Sequence, residues 1–510
     1  MVSDWALEES ASADFGDERL NKRYALIVSS TGNRPNLSIP AGCNGRAEME
    51  ATYRFTDNAQ VTFDKILAPH GQCTLTRAAE HKVALFVQDT TEIDLTRPEQ
   101  QVAGAGGLDG SRRRGLFAHL VHAFSGDGTP LGTLSARIIN RTGCTEEEKA
   151  KGKRTKAEKE KQRTAKPIEQ KESMRWLEGL RSAREAAGQL PDTQCICIAD
   201  SEADIYELLA EPREAAARPS APKSGGRSID FIFRACRDRA LEMKSDDQTP
   251  DSQASGPHTP APGQLREAVM ATPVLYTVQL LIRGRTAKTG LETKGRRQAR
   301  DGRQANLEVR AGSVRLRPPP RPGRKLTVVT VNVVIVREID APPGEEPVEW
   351  ILLTTLPIDT LEQVKAVVEY YCIRWNIEIL FRTLKSGCRI EERRFEHVDR
   401  VERALGLYLI AAWRTMFVTW MGRECPDMDC EAIFEPSEWK AVWTATQRKL
   451  PPKKHPSLQE IVTLIAQLGG YVLRRNSEPG TQTVWIGMQR MYDLAMAWDA
   501  FGPEAKIKRS

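Results

Sequence analysis

Four residues with chemically useful side chains lie near residue 380: Tyr371, Arg374, Glu378 and Lys385. They are separated by three, four and seven positions. On one continuous α-helix, where each residue advances by about 100°, they would fall within an arc of about 60°. The positions between them are mostly apolar, which predicts a buried helix that carries one polar stripe. Buried charges are costly unless they are paired or bind a metal, so we expect the stripe to face a polyanion held together with metal ions.

Two further carboxylates are predicted to end apolar strands. Asp89 follows residues 83–88, and Asp200 follows residues 194–199. Ligands collect at the carboxyl ends of strands in mixed and parallel sheets, so the two acids would lie close together if their strands are neighbours. Glu378 could complete the cluster, because three carboxylates repel one another unless a cation lies among them. Hard oxygen ligands select Mg²⁺ or Mn²⁺, and two such ions can activate a hydroxyl and stabilise the leaving oxygen of a phosphodiester.

Each of these acids also has an ordinary structural interpretation. An Asp after a strand is commonly a turn or N-cap residue, and Asp94 and Asp204 lie near enough in sequence to be confused with ligands. Glu378 could instead form an ion pair with Arg374 or Arg382. The hypothesis of a metal site therefore depends on the whole set of residues.

The elements that would position these residues occur in a mixed α/β order. Three antiparallel strands, two of which form a hairpin, come first. Alternating helices and strands, a β-rich insertion and a further helix follow. This order predicts a mixed sheet with helices on its faces and fits a ribonuclease-H-like fold. The predicted strands are residues 83–89, 115–124, 131–139, 194–199, 230–236, 274–283, 307–316, 326–338 and 349–355. The predicted helices are a segment around Trp176, residues 202–209 and a long helix through Glu378.

The same pattern predicts three domains with several less regular stretches. The first domain, residues 1–70, is polar and helical. The second, residues 71–423, forms the core and carries an insertion at about 237–355. The third, residues 424–510, is helical. Residues 211–228 and 244–263 have the composition of flexible loops. Residues 146–175 contain eleven Lys or Arg against seven Asp or Glu, which favours a solvated helix with i,i+4 pairs over extra phosphate contacts.

Composition limits the class of protein. A net charge of +6 is only a weak argument for nucleic-acid binding. The ten cysteines contain no CxxC motif, and no signal-peptide pattern precedes Asp4, which together predict the cytoplasm. The apolar run 405–421 includes Arg414 and predicts a buried helix, so we expect no membrane partner. His119 and His122 would face opposite sides of a strand, which argues against a zinc site. His119 could approach the active site, but a structural role is favoured.

The spacing Y-x2-R-x3-E-x6-K near residue 380 resembles the signature of the insertion-sequence-four family of DDE transposases, which includes the transposon-five transposase. Residues 88–91 and 199–205 resemble the first two catalytic blocks of this family, and residues 349–355 resemble the segment before the third. The start of the chain, through residue 55, resembles the end-recognition domain. Residues 465–470 and the helix with Trp485 resemble the region used for dimerisation.

This resemblance implies a cut-and-paste transposase. Asp89, Asp200 and Glu378 would be the catalytic, metal-binding triad, holding Mg²⁺ or Mn²⁺, as two ions. Nicking of one strand would be followed by attack of the new 3′-hydroxyl on the opposite strand, then by opening of the resulting hairpin and strand transfer. The implied partners are double-stranded DNA, as transposon terminal inverted repeats and target DNA, and a second copy of the chain in a DNA-bound homodimer. The implied location is the bacterial cytoplasm, at the nucleoid.

The resemblance also implies DNA contacts. Tyr371, Arg374 and Lys385 would hold terminal phosphates. Trp350 would stack a flipped base beside the hairpin, although it could instead be a buried strand residue. Arg234 would lie near the DNA backbone, or else be a surface or sheet-edge arginine. Positive charge alone suggests four N-terminal DNA contacts: Arg19, Arg23, Arg46 and Arg54.

Two other functions share some of these features. A catalytically inactive, transposase-derived DNA-binding regulator would keep the N-terminal region, but the presence of all three acids argues against it. A different nuclease on the same fold, such as a resolvase, would lack the N-terminal and C-terminal regions. Hairpinned DNA products would support transposition over both.

Overall fold

The computed structural model describes residues 2–43, 45–97, 101–109, 112–141, 166–213, 229–242, 263–282, 301–321, 325–345, 347–473 and 477–503. The chain forms two compact units, one made of Met1–Gly143 with Trp375–Ser510 and the other of Cys144–Arg374. The functional domain boundaries predicted at residues 70 and 423 stay predictions. Most of the basic segment 146–175 and the loops at 211–228 and 244–263 lie outside the described residues.

The first unit begins with helices, as its polar sequence predicts. Asp17 caps the second helix, because its carboxylate accepts a hydrogen bond from the backbone N–H of Arg19 at 2.8 Å. Phe15, Tyr24 and Phe55 pack together with ring centroids 5.2, 5.3 and 6.3 Å apart. The helices are α1 (Asp4–Ser10), α2 (Glu18–Asn33), α3 (Ile39–Gly42), α4 (Arg46–Asp57) and α5 (Phe63–Ala79).

Antiparallel strands follow in the same unit. β1 pairs with β3, and β3 with β4 forms the predicted hairpin. The prediction that Asp89 ends a strand is wrong, because the pairing with β3 continues to Asp94. Thr90, Thr91 and Ile93 are β-branched residues that suit the extended ladder. The strands are β1 (Val83–Asp94), β2 (Gly106–Gly107), β3 (Arg114–Ser125) and β4 (Pro130–Ile139).

The second unit contains a mixed sheet with helices, which confirms the mixed α/β class; the ribonuclease-H-like assignment stays a prediction. Within this unit the strand order is β5-β6-β10-β9-β8-β7, and only the β5–β6 pair among these described strands is parallel. The predicted helix at 202–209 is divided into the 3₁₀ turn Ser201–Ala203 and a short α-helix. The elements are α6 (Met174–Ala187), β5 (Gln194–Ala199), α7 (Tyr206–Leu209), β6 (Asp230–Arg234), α8 (Leu265–Met270), β7 (Tyr276–Ile282), β8 (Arg303–Leu316), β9 (Val329–Ile339), β10 (Glu349–Thr354) and α9 (Leu361–Ile373).

The prediction of one continuous helix through Glu378 is wrong. Arg374 and Trp375 keep right-handed helical angles, but the N–H of Arg374 and that of Glu378 each bond to a carbonyl only three residues back, which interrupts the α-helical ladder. Lys385 lies in a π-helical turn, so it does not keep the α-helical phase relative to Glu378. The arc of about 60°, which assumes a regular α-helix, therefore does not apply. The two segments after the interruption are α10 (Asn376–Arg382) and the π turn Thr383–Gly387.

The first unit ends with α-helices that share a core with large buried side chains such as Trp439 and Met488. The predicted buried helix is present. Among the described residues it is the one helix long and apolar enough to cross a membrane, and 83% of its apolar stretch is buried inside the protein. The helices are α11 (Val398–Glu424), α12 (Pro436–Gln447), α13 (Leu458–Leu468) and α14 (Thr481–Phe501).

Candidate active site

Asp89 lies half-buried in the middle of β1, in the first unit. Its Oδ1 accepts a hydrogen bond from the N–H of Thr90 at 2.7 Å. His119, on the paired strand β3, lies 2.9 Å from the Thr90 hydroxyl through Nδ1 and 3.1 Å from the Gln88 side-chain oxygen through Nε2. One buried imidazole therefore holds the side chains on both sides of Asp89, and the structural role of His119 stays a prediction.

Glu378 is half-buried in the first turn of α10, where the helix dipole favours a carboxylate. This helix packs against β1, so two of the predicted acids belong to contacting elements of one unit. Lys385 Nζ lies 3.5 Å from Glu391 Oε1, and the same oxygen accepts a hydrogen bond from the N–H of Asp94 at 3.0 Å. Lys385 thus has a carboxylate partner that the sequence did not indicate, because Glu391 lies in a separate 3₁₀ turn.

Asp94 shares β1 with Asp89 but has a structural role. Its carboxylate accepts hydrogen bonds from the N–H of Thr96 at 2.9 Å and from Arg113 Nε at 2.9 Å. Burial opposes its ionisation, but these hydrogen bonds outweigh burial and lower the pKa of Asp94. The structure therefore separates Asp94 from the metal-ligand candidates.

Asp200 lies directly after β5, in the second unit, as predicted. It is also the N-cap of the following 3₁₀ turn, and its Oδ1 accepts a hydrogen bond from the N–H of Glu202 at 2.8 Å. The ordinary N-cap interpretation is therefore correct for one oxygen of this half-buried carboxylate. It does not exclude a metal at the other oxygen.

Asp204, the second acid of this block, has a fully buried side chain in a structural network. Its carboxylate pairs with Arg239, whose Nε donates to Oδ1 at 2.9 Å. Its other oxygen accepts from the backbone N–H groups of Cys236 and Arg237 at 2.9 and 3.1 Å. Asp204 is therefore needed for the local fold and is not a good metal-ligand candidate.

Tyr371 is the centre of a cluster of predicted site residues within the second unit. Its side chain is buried, and the Trp350 ring meets it edge-on with centroids 5.5 Å apart. Burial raises the pKa of Tyr371, while the charges of Arg374 and Arg234 oppose that rise and the charge of Asp200 adds to it. The phenol therefore stays protonated at neutral pH and can donate a hydrogen bond.

Arg234 links two strands of this cluster. It lies on β6 opposite Leu352 of β10, and its Nη2 donates to the main-chain oxygen of Glu349 at 3.3 Å. Arg234 also lies close enough to Tyr371 to oppose the rise in the pKa of its phenol. Arg234 is half-buried on β6, which pairs with both β5 and β10, so the sheet-edge alternative is wrong, and contact with the DNA backbone stays a prediction. Trp350 is likewise half-buried, between the two alternatives considered for it.

The four N-terminal arginines predicted to contact DNA differ in exposure. The side chains of Arg19 and Arg46 are 91% and 87% exposed, Arg54 is exposed and Arg23 is half-buried. Arg19 pairs with the nearby Asp17, and Arg46 with Glu50 one helical turn later. Exposed ion pairs of this kind contribute little to stability, so they can exchange for a phosphate. DNA contact by these residues stays a prediction.

The three predicted acids are half-buried carboxylates, and carboxylate oxygen is the donor that Mg²⁺ prefers. Across the part of the chain that the structure describes, no group of three or more His, Cys, Asp or Glu side chains is arranged to hold a metal ion. Metal binding by Asp89, Asp200 and Glu378 therefore stays a prediction.

Some residues of these sites were not indicated by the sequence. Arg266 of α8 binds the carboxylate of Glu349 through contacts of 3.1, 3.1 and 2.8 Å. The two residues lie 83 positions apart, so no local pattern connects them. Glu391, the partner of Lys385, was missed for a different reason, because it lies in a separate 3₁₀ turn.

Three family models match successive parts of the chain. Residues 2–61 match a transposase DNA-binding domain, residues 145–414 a transposase DDE domain, and residues 410–497 a transposase Tn5 dimerisation domain. The DDE match covers more than half of the chain and includes Asp200 and Glu378, whereas Asp89 lies before it.

Proposed function

This chain belongs to the DDE transposase family, and we propose that it is a cut-and-paste transposase. The resemblance to transposon-five-type transposases is confirmed by the three matched domains, which identify a protein that binds DNA and dimerises. The finer proposal concerns the DNA, the metal site and the order of the reaction steps. It is best supported by the cluster around Tyr371.

That cluster has the composition of a phosphate-binding site. The protonated Tyr371 phenol can donate a hydrogen bond to a phosphate oxygen, and Arg374 and Arg234 supply positive charge beside it. Asp200 lies close enough to affect the pKa of Tyr371, so a carboxylate and phosphate donors share one neighbourhood. Within the first unit, Lys385 would bind a phosphate by exchanging Glu391 for it.

We assign metal binding to Asp89, Asp200 and Glu378. Divalent ions bound there would help to activate the attacking hydroxyl and stabilise the leaving oxygen. Two features support the assignment: the strand of Asp89 packs against the helix of Glu378, and the nearby Asp94 is already engaged by Arg113.

The proposed reaction begins at the transposon terminal inverted repeats. Water attacks a phosphodiester and releases a 3′-hydroxyl. This hydroxyl then attacks a phosphodiester of the opposite strand, which forms a hairpin and displaces the 3′-oxygen of the flanking DNA. Water opens the hairpin, and the regenerated 3′-hydroxyl attacks target DNA and displaces another 3′-oxygen. Trp350 would stack the base that must leave the duplex when the hairpin forms. We place the reaction on chromosomal DNA in the bacterial cytoplasm.

The test uses purified full-length protein, Mg²⁺ and duplex DNA that carries the inverted repeats flanking the gene. Asp200→Asn and Glu378→Gln should each reduce nicking at least about a thousandfold, equivalent to about 4 kcal/mol of lost transition-state stabilisation. The matched control for Asp200→Asn is Glu202→Gln, because Glu202 is an exposed acid two residues later, in the adjoining 3₁₀ turn. The matched control for Glu378→Gln is Glu369→Gln, because Glu369 is an exposed acid on the preceding helix α9. The controls should nick like the unmodified protein.

DNA binding is measured in parallel by band shift. The two site variants should still bind the inverted repeats, since the N-terminal region is unchanged. Retained nicking in either site variant would contradict the triad. A different nuclease on this fold would instead give nicked products without hairpins, and it would nick branched DNA without inverted repeats equally well. A regulator would bind the DNA without cleaving it, in the unmodified protein as in all variants.

A further inference from the structure

A charged pair lies next to Trp350 of the Tyr371 cluster, at the start of β10 in the second unit. The Arg266 guanidinium donates hydrogen bonds to the carboxylate of Glu349. Its Nε lies 3.1 Å from both carboxylate oxygens, and its Nη2 lies 2.8 Å from Oε2. Arg337, opposite Glu349 on β9, adds a longer contact of 3.7 Å from its Nε. The backbone N–H of Arg266 is itself held by Asp238 Oδ1 at 2.9 Å. The first residue of β10 is therefore fixed from two sides.

The same residue touches the cluster through its main chain. The Glu349 carbonyl oxygen accepts a hydrogen bond from Arg234 Nη2 at 3.3 Å, and the charge of Arg234 lies close enough to Tyr371 to affect the pKa of its phenol. The next residue is Trp350, whose ring meets the Tyr371 ring edge-on at 62°. A shift of Glu349 would move both the acceptor that orients Arg234 and the backbone that carries Trp350.

We propose that Glu349, gripped by Arg266, is a positioning residue that sets Trp350 and Arg234 for the hairpin step. This inference rests on the proposed function, because it assumes that Trp350 stacks a base during that step. Neither Glu349 nor Arg266 needs to touch DNA for this role. Their effect acts through the start of β10, and a misplacement of about 1 Å near reacting groups can reduce a rate about a hundredfold.

The test separates hairpin formation from nicking. Glu349→Gln keeps the size of the side chain but removes the charge that Arg266 grips. We expect hairpin formation on pre-nicked inverted-repeat DNA to fall at least about tenfold, as expected for slightly misplaced groups, while nicking of intact DNA changes less than about threefold. The matched control is Glu308→Gln, which removes a carboxylate paired with Arg310 on β8, a strand of the same sheet separated from β10 by β9. It should leave both rates unchanged.

A second measurement distinguishes positioning from a general loss of structure. Glu349→Gln is combined with Trp350→Ala, and hairpin rates of the single and double variants are compared. If Glu349 acts by placing Trp350, the double variant should be little slower than Trp350→Ala alone, because coupled residues are not additive. The inference is wrong if the fold-losses in hairpin rate of the two single variants multiply in the double variant. It is also wrong if Glu349→Gln reduces nicking and hairpin formation equally.

The outcomes also separate this inference from the proposed function. If the unmodified protein makes no hairpins on its own inverted repeats, the proposed function fails before the variants are compared. If it makes hairpins and Glu349→Gln makes them at the same rate, only the positioning role fails. Arg266→Met should reproduce the effect of Glu349→Gln, since it removes the other half of the same pair.

Discussion

Replacing Glu9 by Gln should weaken the attachment of α1 to the rest of the first unit. The Glu9 side chain is 1% exposed, with Oε2 2.6 Å from His70 Nδ1 and Oε1 2.5 Å from Arg77 Nη1. The backbone N–H of Thr133 donates to His70 Nε2 at 3.0 Å. Nε2 therefore carries no hydrogen, and the neutral imidazole must direct its Nδ1–H to Glu9. One carboxylate thus connects α1 to α5 and, through His70, to β4.

The size of the effect follows from these contacts. Glutamine offers one acceptor oxygen, so its amide N–H₂ must face either the His70 N–H or an Arg77 N–H, and two donors oppose each other. Losing a hydrogen bond to a charged group costs about 1.5–3 kcal/mol, and removing one partner of a buried ion pair costs about 3–5 kcal/mol. Arg77 keeps some compensation, since it is 17% exposed and stacks over Trp413 at 4.2 Å. We therefore expect a loss of about 3 kcal/mol.

The pH dependence has a definite sign. Burial opposes ionisation of Glu9, but His70 and Arg77 outweigh it and lower the pKa of Glu9 below its ordinary 4.5. The stabilisation by this carboxylate is therefore present above pH 4.5 and is lost as pH falls through the lowered pKa. Burial also lowers the pKa of His70 below 6.5, so the neutral ring loses its stabilising effect as pH falls below 6.5. The Glu9→Gln loss should be full at pH 7 and shrink in strong acid.

The assay is urea unfolding of the full chain, followed by circular dichroism, together with tryptic cleavage of α1 under native conditions. The matched control is Glu8→Gln, because Glu8 is exposed on the same helix. A 510-residue chain need not unfold in one step, so the first transition is compared. The reasoning is refuted if Glu9→Gln unfolds at the same urea concentration as Glu8→Gln at pH 7.

Two further predictions concern the first unit. Gly132 has φ +142°, and a Cβ there would lie 3.0 Å from His70 Nε2, so Gly132→Ala should cost about 1–3 kcal/mol in thermal unfolding. Gly107→Ala is the control, because a Cβ at Gly107 meets nothing within 4 Å; equal melting of the two variants would contradict the prediction. Burial raises the pKa of Glu438 from 4.5 to about 7, so stability should fall as pH rises between these values. Glu438→Gln should remove that dependence, and identical slopes of melting temperature against pH would argue against it.

Local patterns allowed much of the fold to be predicted. Alternating and continuous apolar runs indicated the described strands from β1 to β10 except the two-residue β2, and the apolar run around Leu405 indicated α11, because these signals depend on neighbours in the chain. The same reasoning failed where local signals were ambiguous. It ended β1 at Asp89, since an Asp often stops a strand, although pairing with β3 carries the strand five residues further. It also joined α9 and α10 into one helix, because the helical angles persist through the interruption.

The sequence by itself indicated the family, since the spacing from Tyr371 to Lys385, the blocks at Asp89 and Asp200 and the flanking regions are properties of the chain that need no folding to be recognised. It could not rank the acids that lie close together in sequence. Only the tertiary structure showed that Asp94 and Asp204 are engaged by Arg113 and Arg239. It alone also paired Arg266 with Glu349, the residue before Trp350. The reason is physical: the cost of burying a carboxylate depends on which cation folding brings to it, and that partner can come from any distance along the chain.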